Sequence, residues 1–507
     1  MDFVNFVLAS SPILIVLLGI MAFKKSAMKV APISLVVTIV LAFTFFNVDN
    51  LSFSENSSIV GELLLKGLVE GAKIVLMVFG AFVVLNTLKL NGAMEDVKNT
   101  VSRISHDRRV QLVIVGMMVP IFLEGAAGAG APAAIAAPFL VALGFDPITS
   151  IAVALLGDAT PCSWGGAGLT TISGGAALVS EGISTTMLNS AMVGRIHMFG
   201  ALIIPFIIIW LAFGKKGFKG IVPYLFFAGI STGAVMFLLS NYVGPEVTSM
   251  GTGLISILLS VVFVKLKKIE TPEEFKYEFP KETVSKYKPF VALSPYIYML
   301  VILPVVRYTF PLEFLTKFGY IVWVDCVIFI CAVLGAVTQK VSPKDFLKTC
   351  GQTIKGIIPV LITMGSLLVV AYIMQEPSTG MINLIALDLA GISGKLYPAV
   401  AVLIGSMGSF ITGTGLGSNI MFAPMHMDAA YSLSINPITV FAGQNAGASL
   451  GNLICPNNTV AACATVGEIG NENKVMKKTF KAFGIIVVEY MILSIIYTLI
   501  LFPNFGL

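Results

Sequence analysis

The chain has 507 residues, of which 56% are hydrophobic and only 12% are charged, whereas soluble domains contain about 25% charged residues. This composition excludes an ordinary soluble domain. The net charge of +5 does not indicate nucleic-acid binding, since the cytoplasmic loops of membrane proteins carry an excess of Lys and Arg.

Apolar segments of membrane-spanning length recur along the chain. A segment of about 18 or more nearly uncharged residues is typical of a span, because the hydrocarbon core is about 30 Å thick. Such segments lie at residues 6–23, 30–48, 74–88, 198–213, 221–239, 321–337, 357–374 and 485–502. Backbone polar groups in lipid must be satisfied within each segment, which favours helices. We therefore predict an all-α polytopic membrane protein with about 12–14 transmembrane helices.

Charged residues predict the orientation and the domain organisation. Lys24 and Lys25 follow the first apolar segment, so this segment should run from the outside to the inside. Residues 265–289 carry charges of both signs and form the longest hydrophilic stretch. We predict a first transmembrane repeat at 1–264, a cytoplasmic linker at 265–289 and a second transmembrane repeat at 290–507.

Three pairs of segments recur in the same order in the two halves. GFDPITSIAVALLGDA at 144–159 matches INPITVFAGQNAGAS at 435–449, PIFLEGAAG at 120–128 matches GSFITGTGL at 408–416, and VFGAFVVL at 78–85 matches TMGSLLVV at 363–370. By the charge rule, 78–85 runs inward and its counterpart runs outward. We expect two repeats of inverted topology; since the identity is low, chance similarity is the alternative.

Glycine and proline interrupt the hydrophobic segments at matching places, near 125–132 and 413–419. A continuous helix is unfavourable there, because glycine costs about 1 kcal/mol and proline about 3 kcal/mol in a helix interior. Inverted repeats with broken or re-entrant helices near the midplane are typical of secondary transporters, whose central site lies at the breaks. Free amides at a half-helix N-terminus favour an anion such as a carboxylate.

Two acids lie within these apolar segments. Glu124 stands in FLEGAAGAGAPAA, with no basic residue within ten positions on either side, and Asp158 shortly precedes Pro161. Ionisable residues inside a membrane are functional by default, and burial disfavours the ionised carboxylate. Both are therefore candidate proton carriers. The alternatives are helix capping by Glu124, and cation binding, capping or turn formation by Asp158.

Uncharged polar residues, glycines and one arginine are the candidate substrate-binding groups. The guanidinium group of Arg195 suits bidentate binding of a carboxylate, and its alternative role is that of a snorkelling topology determinant. Hydroxyl and amide groups in the second half can bind a hydroxy acid or Na⁺, or can bond across helices. The predicted set is Arg195, Gly125, Gly128, Thr412, Gly413, Thr414, Ser418, Asn419, Asn445, Asn457 and Asn458.

The sequence predicts no catalytic, cofactor or metal site. His106, His197 and His426 lack the spacing of metal ligands. The glycine-rich segment EGAAGAG lacks the lysine of a phosphate-binding loop. The six cysteines are scattered through apolar or glycine-rich segments, where most are expected to be small buried hydrophobes.

Three segments resemble signature segments of the bacterial lactate permease family: FLEGAAGAGAP, GSFITGTGLGSN and NAGASLGNLICPNNTVAACATVG. The resemblance extends over most of the chain. Members of that family are inner-membrane transporters that carry lactate, and in several cases glycolate, with protons. The matching positions are Glu124, Gly125, Gly128, Pro132, Arg195, Thr412, Gly413, Ser418, Asn419, Asn445, Gly447, Pro456 and Ala461.

The chain also departs from the family pattern. Ala129 stands where the family usually has phenylalanine, Asp158 stands where asparagine is usual, and CPNN at 455–458 replaces serine–proline–glutamine–serine. These departures leave a transporter as the expectation but leave the acid that is carried, and the coupling ion, open.

The residues and the resemblance together predict a secondary active transporter, namely a proton-coupled symporter of lactate or glycolate in the bacterial inner membrane. Its expected partners are a small organic acid anion, protons and the lipid bilayer, with no nucleic acid and no cofactor. A Na⁺-coupled carrier of another organic anion is the alternative within transport. An intramembrane hydrolase, for which Asp158 and Ser163 are a weak pair, and a passive channel are the alternatives outside it.

Overall fold

A computed structural model describes residues 3–46, 52–93, 96, 105–126, 128, 130–267, 269–277, 286–317, 320–391 and 393–506. Ala129 lies outside these residues. The described chain is helical, and its extended pairing is an isolated antiparallel bridge between Asp107 and Lys276. Eight described helices are long and apolar enough to cross a membrane, so the prediction of an all-α polytopic membrane protein is confirmed. The count of 12–14 spans remains a prediction.

The first half contains four described helices of ten or more residues before the first interruption and six after it. They are α1 (Phe3–Met21), α2 (Ala27–Thr44), α3 (Phe53–Asn91), α4 (Arg108–Ala126), α5 (Ala131–Ala142), α6 (Pro147–Ala159), α7 (Gly165–Gly174), α8 (Thr186–Phe213), α9 (Val222–Tyr242) and α10 (Pro245–Leu266). A 3₁₀ turn at Pro161–Trp164 separates α6 from α7.

The second half has the same kinds of elements. They are α11 (Ser294–Thr309), α12 (Tyr320–Thr338), α13 (Pro343–Gln375), α14 (Met381–Gly391), α15 (Tyr397–Thr412), α16 (Gly415–Ser432), α17 (Pro437–Gly451), α18 (Pro456–Val466) and α19 (Glu472–Ile496). A 3₁₀ turn at Asn452–Ile454 separates α17 from α18, as the turn at Pro161–Trp164 does in the first half.

The chain is interrupted at the predicted places, over shorter stretches than the sequence suggested. After α4 the interruption includes Gly128 and Gly130, both with positive φ angles of 66° and 81°. After α15 it falls at Gly413, with φ of 78°. Glycine suits these positions because it has no Cβ to clash in the left-handed region. Gly125 lies inside α4 rather than in the break, and Asn419 lies inside α16.

Each interrupted pair of helices folds back as a hairpin. At the open end of the first hairpin, the Arg108 guanidinium group donates to the carbonyl oxygen of Gly144 at 2.8 Å, which joins the start of α4 to the end of α5. At the open end of the second, the Tyr397 hydroxyl group and His426 Nδ1 lie 2.6 Å apart, which joins α15 to α16. The glycine interruptions therefore lie at the tips of two hairpins.

The helix after each hairpin begins with the same local chemistry. Asp146 caps α6, and its carboxylate accepts from the backbone N–H of Thr149 at 2.8 Å. Asn436 caps α17, and its side-chain oxygen accepts from the backbone N–H of Ile438 at 2.8 Å. Proline follows the cap in both helices, where its missing N–H costs nothing. The PIT triplet shared by the two halves is thus a helix start.

A π-helical stretch at Ile114–Met118 divides α4, and such insertions are frequent at functional sites. The neighbouring helix α6 packs against it very closely. A Cβ atom added at Gly157 would lie 2.1 Å from the carbonyl oxygen of Gly116. This contact brings the end of α6 beside the part of α4 that follows the π-helical stretch.

Contacts at the two ends of α8 place the starts of α6 and α17 far apart. Near the C-terminal end of α8, Lys478 donates both to the Leu211 carbonyl oxygen at 2.9 Å and to Thr149 Oγ1 in α6 at 3.1 Å. In its N-terminal half, the Arg195 guanidinium group lies 4.8 Å from the Phe505 ring centroid, and the Phe505 carbonyl oxygen accepts from Asn436. Arg195 and Leu211 are about 24 Å apart along an ideal helix.

The start of the predicted linker is tied to the base of the first hairpin. Arg109 is fully buried and pairs with Asp107 at 2.6 Å. Its guanidinium group also donates to the carbonyl oxygens of Gly217 and Lys219 and stacks 4.4 Å from the Phe275 ring centroid. This end of the protein therefore has a fixed polar core.

Candidate functional site

The regions around the two 3₁₀ turns, one in each half, meet in the protein interior. The Ser449 hydroxyl group in α17 donates to the carbonyl oxygen of Ala159 at the end of α6. The same hydroxyl oxygen accepts from the backbone N–H of Ser163 at 3.1 Å. The Asn445 side chain donates to Thr171 Oγ1 in α7 at 2.9 Å. All five residues in these bonds are buried, so the two halves share one polar centre.

A cavity of about 160 Å³ lies at this centre, between the hairpin tips. Pockets that hold drug-sized ligands typically measure about 300–1,000 Å³, so this cavity suits a small ligand. Its lining residues are Glu124, Gly128, Cys162, Gly165, Gly166, Leu169, Thr170, Thr414, Gly415, Leu416 and Asn452. Both halves contribute to the wall.

Glu124 and Asp158 form a buried carboxyl pair. Their side chains are within interaction range of each other, and the two residues are only 2% and 1% exposed. Glu124 lines the cavity, whereas Asp158 lies behind it. Among the described residues, no Lys or Arg side chain forms an ion pair with either carboxyl group. Two adjacent carboxylates repel each other strongly, so such a pair favours holding a proton between them.

One oxygen of each acid has no hydrogen-bond partner among the described residues, namely Glu124 Oε2 and Asp158 Oδ1. A buried polar atom without a partner is costly, and such atoms in native proteins point to a bound water, ion or proton. The sequence placed the two acids in separate segments. The structure brings them together through the close packing of α4 against α6.

The N-terminus of α16 forms the opposite part of the wall. Thr414 caps this helix, and its hydroxyl oxygen accepts from the Gly417 backbone N–H at 3.0 Å. Thr412 donates to the Thr414 carbonyl oxygen at 2.9 Å, which stabilises the turn around Gly413. The first residues of α16, Gly415 and Leu416, line the cavity. A helix N-terminus carries partial positive charge and free amides, so this wall favours an anion.

Several predicted polar residues stabilise the surrounding helices and are absent from the cavity wall. Ser418 donates to the Gly405 carbonyl oxygen at 2.9 Å, which joins α16 to α15. Asn419 donates to the Thr170 carbonyl oxygen at 3.3 Å, which joins α16 to α7. The Asn445 side-chain amide group donates to Thr171 Oγ1. A direct role of these three residues in substrate binding remains a prediction.

Asn457 and Asn458 follow the second 3₁₀ turn. The Asn458 amide group donates to the Asn452 carbonyl oxygen at 3.4 Å, so Asn458 supports a residue of the cavity wall. Asn457 lies against Gly413 and faces a smaller, mainly apolar cavity of about 30 Å³ beside α1 and α13. Neither side chain lines the central cavity.

Arg195 lies apart from the cavity. Its guanidinium group donates to the Ala191 carbonyl oxygen at 2.7 Å and to the Asn241 side chain, and it stacks on Phe237, Phe502 and Phe505. These contacts occupy the guanidinium group of Arg195, which lies in the N-terminal half of α8. Its predicted contact with the substrate would require a rearrangement, and the geometry favours a role in fixing the C-terminal segment.

The predicted glycines differ in their roles. Gly125 faces α10, where an added Cβ atom would lie 2.3 Å from the Met250 backbone nitrogen, so it permits close helix packing. Gly128 lines the cavity and approaches the backbone of Gly166. Gly413 makes the turn at the tip of the second hairpin.

A buried histidine bridges the first 3₁₀ turn to α19. The two ring nitrogens of His197 lie 2.7 Å from Ser163 Oγ and 2.8 Å from the Tyr490 hydroxyl oxygen. A hydrolase triad would need an orienting carboxylate where Tyr490 stands, and neither Ser163 nor His197 lines the cavity. We therefore interpret the serine–histidine pair as a structural bridge between the 3₁₀ turn and α19. Local sequence patterns do not predict this bridge, because its three members come from distant segments.

Comparisons with known proteins agree with the sequence resemblance. The family model described as L-lactate permease matches residues 5–323 and 302–502. The chain belongs to the L-lactate permease family. It is a multi-pass bacterial membrane protein, and the helices that carry the site are those of a family of transporters.

Curated relatives cover most of the chain. It is 28% identical over 438 residues to an L-lactate permease of Escherichia coli K12, which covers 77% of this chain and 78% of that protein. It is 27% identical over 505 residues to an L-lactate permease of Halalkalibacterium halodurans, which covers 94% of both. It is also 26% identical over 445 residues to the glycolate permease GlcA of Escherichia coli K12, covering 77% of this chain and 78% of that protein.

Solved structures show only a distant likeness. The YdaH transporter of Alcanivorax borkumensis aligns with a TM-score of 0.36 and 13% identity over 87% of this chain and 88% of that one. The MtrF structure of Neisseria gonorrhoeae aligns with a TM-score of 0.33 and 11% identity over 94% of this chain and 96% of that one.

Proposed function

We propose that the protein is a proton-coupled symporter of lactate or glycolate. The observation that carries this proposal is the position of Glu124, a buried acid in the wall of a small interior cavity, with a second acid directly behind it and an unpartnered oxygen. The family relatives named as lactate and glycolate permeases support the substrate class.

The charges suggest the order of binding. A carboxyl pair that shares one proton carries one negative charge and repels an anionic substrate. A second proton makes the pair neutral, so the anion can enter the cavity without facing a like charge. The α16 N-terminus, the Thr414 and Thr170 side chains and the Asn452 amide group then surround the carboxylate with uncharged polar groups. Proton binding therefore precedes anion binding.

We also propose that the two halves are inverted repeats that give access to opposite sides of the membrane. Two observations support this arrangement. The helices α3 and α13 run antiparallel, since Gly67 contacts Val369 and Gly71 contacts Gly365. The starts of α6 and α17 are associated with opposite ends of α8. Two hairpins that enter from opposite faces and meet at a central site are the geometry that alternating access requires.

The test is the substitution Glu124→Gln in proteoliposomes. A glutamine keeps the size of the side chain and cannot carry the proton, so acid-driven accumulation of labelled lactate should fall at least tenfold, the loss expected when about 1.4 kcal/mol of coupling is removed. Exchange of internal for external lactate at equal pH should be retained in part. The matched control is Glu62→Gln, which changes an exposed glutamate of α3.

Two results would contradict the proposal. The first is normal acid-driven accumulation by the Glu124→Gln variant. The second is uptake that follows an imposed Na⁺ gradient at fixed pH, which would favour the Na⁺-coupled alternative. Counterflow of labelled lactate against unlabelled glycolate and other acids, measured in the same vesicles, tests the substrate class separately.

A further inference from the structure

We propose that Asn419 is the latch of a gate that closes the central cavity toward the side from which the second hairpin enters, and that Gln444 and His426 position this latch. The inference rests on the proposed function, because it assigns a gate to the cavity of the proposed carrier. Gln444 and His426 are both buried and lie outside the cavity wall.

The gate consists of α7 and α16, which lie side by side and lead away from the cavity. An added Cβ atom at Gly415 would lie 3.3 Å from Thr170 Cγ2, at the cavity wall. Four residues further along both helices, an added Cβ atom at Gly174 would lie 2.6 Å from Asn419 Cβ. The two contacts keep the same register, so the helices run parallel. The cavity can open in this direction only if they separate.

An apolar layer continues this closure one turn further along. Leu178, in the short helix Ala176–Ser180, forms one buried cluster with Ala423 and Met427 of α16 and with Phe441 of α17. This layer lies between the cavity and the open end of the second hairpin, because α16 runs from the hairpin tip to that end. From the charge rule we expect this side to be the outside.

Asn419 joins the two helices of the gate by a hydrogen bond. Its side-chain amide group donates to the Thr170 carbonyl oxygen at 3.3 Å, and Thr170 lines the cavity. Asn419 is fully buried, so water does not compete for this bond. The amide group has one face that donates and one that accepts. The latch therefore holds only while the amide nitrogen faces α7.

Gln444 fixes the orientation of the Asn419 amide group. The Gln444 side-chain nitrogen lies 3.4 Å from Asn419 Oδ1 and 3.0 Å from Ser418 Oγ. An amide nitrogen only donates and an amide oxygen only accepts, so this contact holds the Asn419 oxygen toward α17 and leaves its nitrogen for α7. The Ser418 hydroxyl group donates to the Gly405 carbonyl oxygen, so its oxygen is available to accept from Gln444.

His426 fixes the orientation of Gln444 in turn. His426 Nε2 lies 2.8 Å from Gln444 Oε1, an atom that only accepts, so Nε2 carries the ring hydrogen. The neutral imidazole ring then accepts at Nδ1, where the Tyr397 hydroxyl group donates at 2.6 Å. Donation passes from the open end of the second hairpin to the cavity wall with a donor for every acceptor. A buried network satisfied in this way holds one arrangement.

The latch can break without disturbing the rest of this network. The contacts of His426 and Gln444 lie within α15, α16 and α17, whereas the bond from Asn419 crosses to α7. Separation of α7 from α16 therefore breaks the crossing bond and leaves the latch oriented to re-form it. Loss of one hydrogen bond shifts such an equilibrium by about threefold to tenfold.

The experiment measures access to the cavity at Leu416, which lines it. In a background whose native cysteines are replaced, Leu416→Cys reacts with a membrane-impermeant methanethiosulfonate reagent in right-side-out vesicles. Rates are normalised to those of Ser432→Cys, an exposed position at the end of α16. Asn419→Leu keeps the branched shape of the side chain but cannot donate. It should raise the reaction rate at Leu416→Cys about threefold to tenfold.

Lactate uptake gives a second measurement on Asn419→Leu. A larger outward-open population should lower the apparent KM at the outer face by up to the same factor. The maximal rate should also fall, because closure is less favourable. A merely structural defect would lower the maximal rate and leave KM unchanged.

Two variants of His426 test the positioning of the latch. His426→Gln can place an amide N–H group where Nε2 stands, so it should leave the reaction rate at Leu416→Cys unchanged. His426→Asn reaches only the place of Nδ1 and releases Gln444, so it should raise the rate by a smaller factor than Asn419→Leu does. The matched control is Ser406→Ala, which removes a buried hydrogen bond between α15 and α17 and should not change the rate.

The outcomes separate this inference from the proposed function, since the cysteine reaction needs neither lactate nor a proton gradient. A rate that Asn419→Leu leaves unchanged, or raises only in inside-out vesicles, would overturn the gate. Equal rates for His426→Asn and His426→Gln would overturn the positioning role. If Asn419→Leu fails to fold, as judged by size-exclusion chromatography, the two His426 variants decide the matter. Normal acid-driven uptake by Glu124→Gln would overturn the proposed function instead.

Discussion

At the scale of single residues, Gly165 controls the space available to the Glu124 carboxyl group. A Cβ atom added at Gly165 would lie 2.1 Å from Glu124 Oε1 and 3.0 Å from its Cδ atom. The φ angle of Gly165 is −58°, which any L-residue adopts. An alanine at this position therefore tests the space beside the acid without straining the backbone.

We expect Gly165→Ala to reduce proton-driven lactate uptake by at least tenfold while the protein still folds. The terminal atoms of Glu124 can move aside, so folding loses little, but a displacement of about 1 Å in a reacting group can cost about a hundredfold in rate. Uptake in proteoliposomes and size-exclusion profiles measure the two effects. The control is Gly61→Ala, where an added Cβ atom meets nothing within 4 Å. Wild-type uptake by Gly165→Ala would show that the position of Glu124 does not matter.

The residues of the site differ in how far the sequence could predict them. Glu124 could be singled out because a lone acid in an apolar segment has few structural explanations. The pairing of Glu124 with Asp158 could not, since it depends on the close contact of Gly116 with Gly157. The hydrogen-bond partner of the Cys162 sulfur atom is the Asn452 amide group, which lies 290 positions away in the sequence. Local sequence patterns do not predict such a contact.

At the scale of helices, glycines bring α15 and α17 into backbone contact. Added Cβ atoms at Gly405, Gly447 and Gly451 would lie 2.1, 2.0 and 2.3 Å from carbonyl oxygens of the facing helix. The Ser406 hydroxyl group also donates across this contact to the Gly447 carbonyl oxygen at 2.9 Å. Small residues hold membrane helices together in this way because dispersion and polar contacts replace the hydrophobic effect. We expect α15 and α17 to move as one body.

The substitution Gly447→Ala should destabilise this pair. The facing atom is the backbone oxygen of Val402, which cannot turn aside as a side chain can, and overpacking typically costs about 1–3 kcal/mol. The expected result is a lower midpoint of thermal unfolding in detergent, followed by tryptophan fluorescence. Gly484→Ala in α19 is the control, because nothing lies within 4 Å of its added Cβ atom. Equal midpoints for the two variants would contradict the tight contact.

The order of helices was largely predictable, and their packing was not. Glycine and proline mark the interruptions because they disfavour continuous helix, and the polar residue before each PIT triplet marks a helix start. The hairpins, however, are closed by contacts such as Arg108 with Gly144, across 36 positions. The π-helical stretch at Ile114–Met118 was not predicted from the sequence either. Sequence patterns therefore predict where a helix ends but not which helix it meets.

At the scale of the whole molecule, the buried ion pair of Arg109 with Asp107 fixes the linker at one end of the protein. Thr271 donates to the Asp107 carboxylate at 3.0 Å, and the Tyr277 backbone N–H donates to the His106 carbonyl oxygen at 2.8 Å. The base of the first hairpin and the beginning of the linker therefore share one side of the membrane. From the charge rule we predict that this side is the cytoplasm. The open end of the second hairpin is associated with the other end of α8.

This arrangement predicts that Lys276 and Ser432 face opposite sides of the membrane. Both residues are exposed, Lys276 in the linker and Ser432 at the end of α16. In a background whose native cysteines are replaced, Lys276→Cys should react with a membrane-impermeant maleimide only in inside-out vesicles, and Ser432→Cys only in right-side-out vesicles. The background protein without added cysteines is the control for non-specific labelling. Labelling of both positions from the same side would mean that the two hairpins enter from one face, and a carrier built that way could not expose a single central cavity to each side in turn.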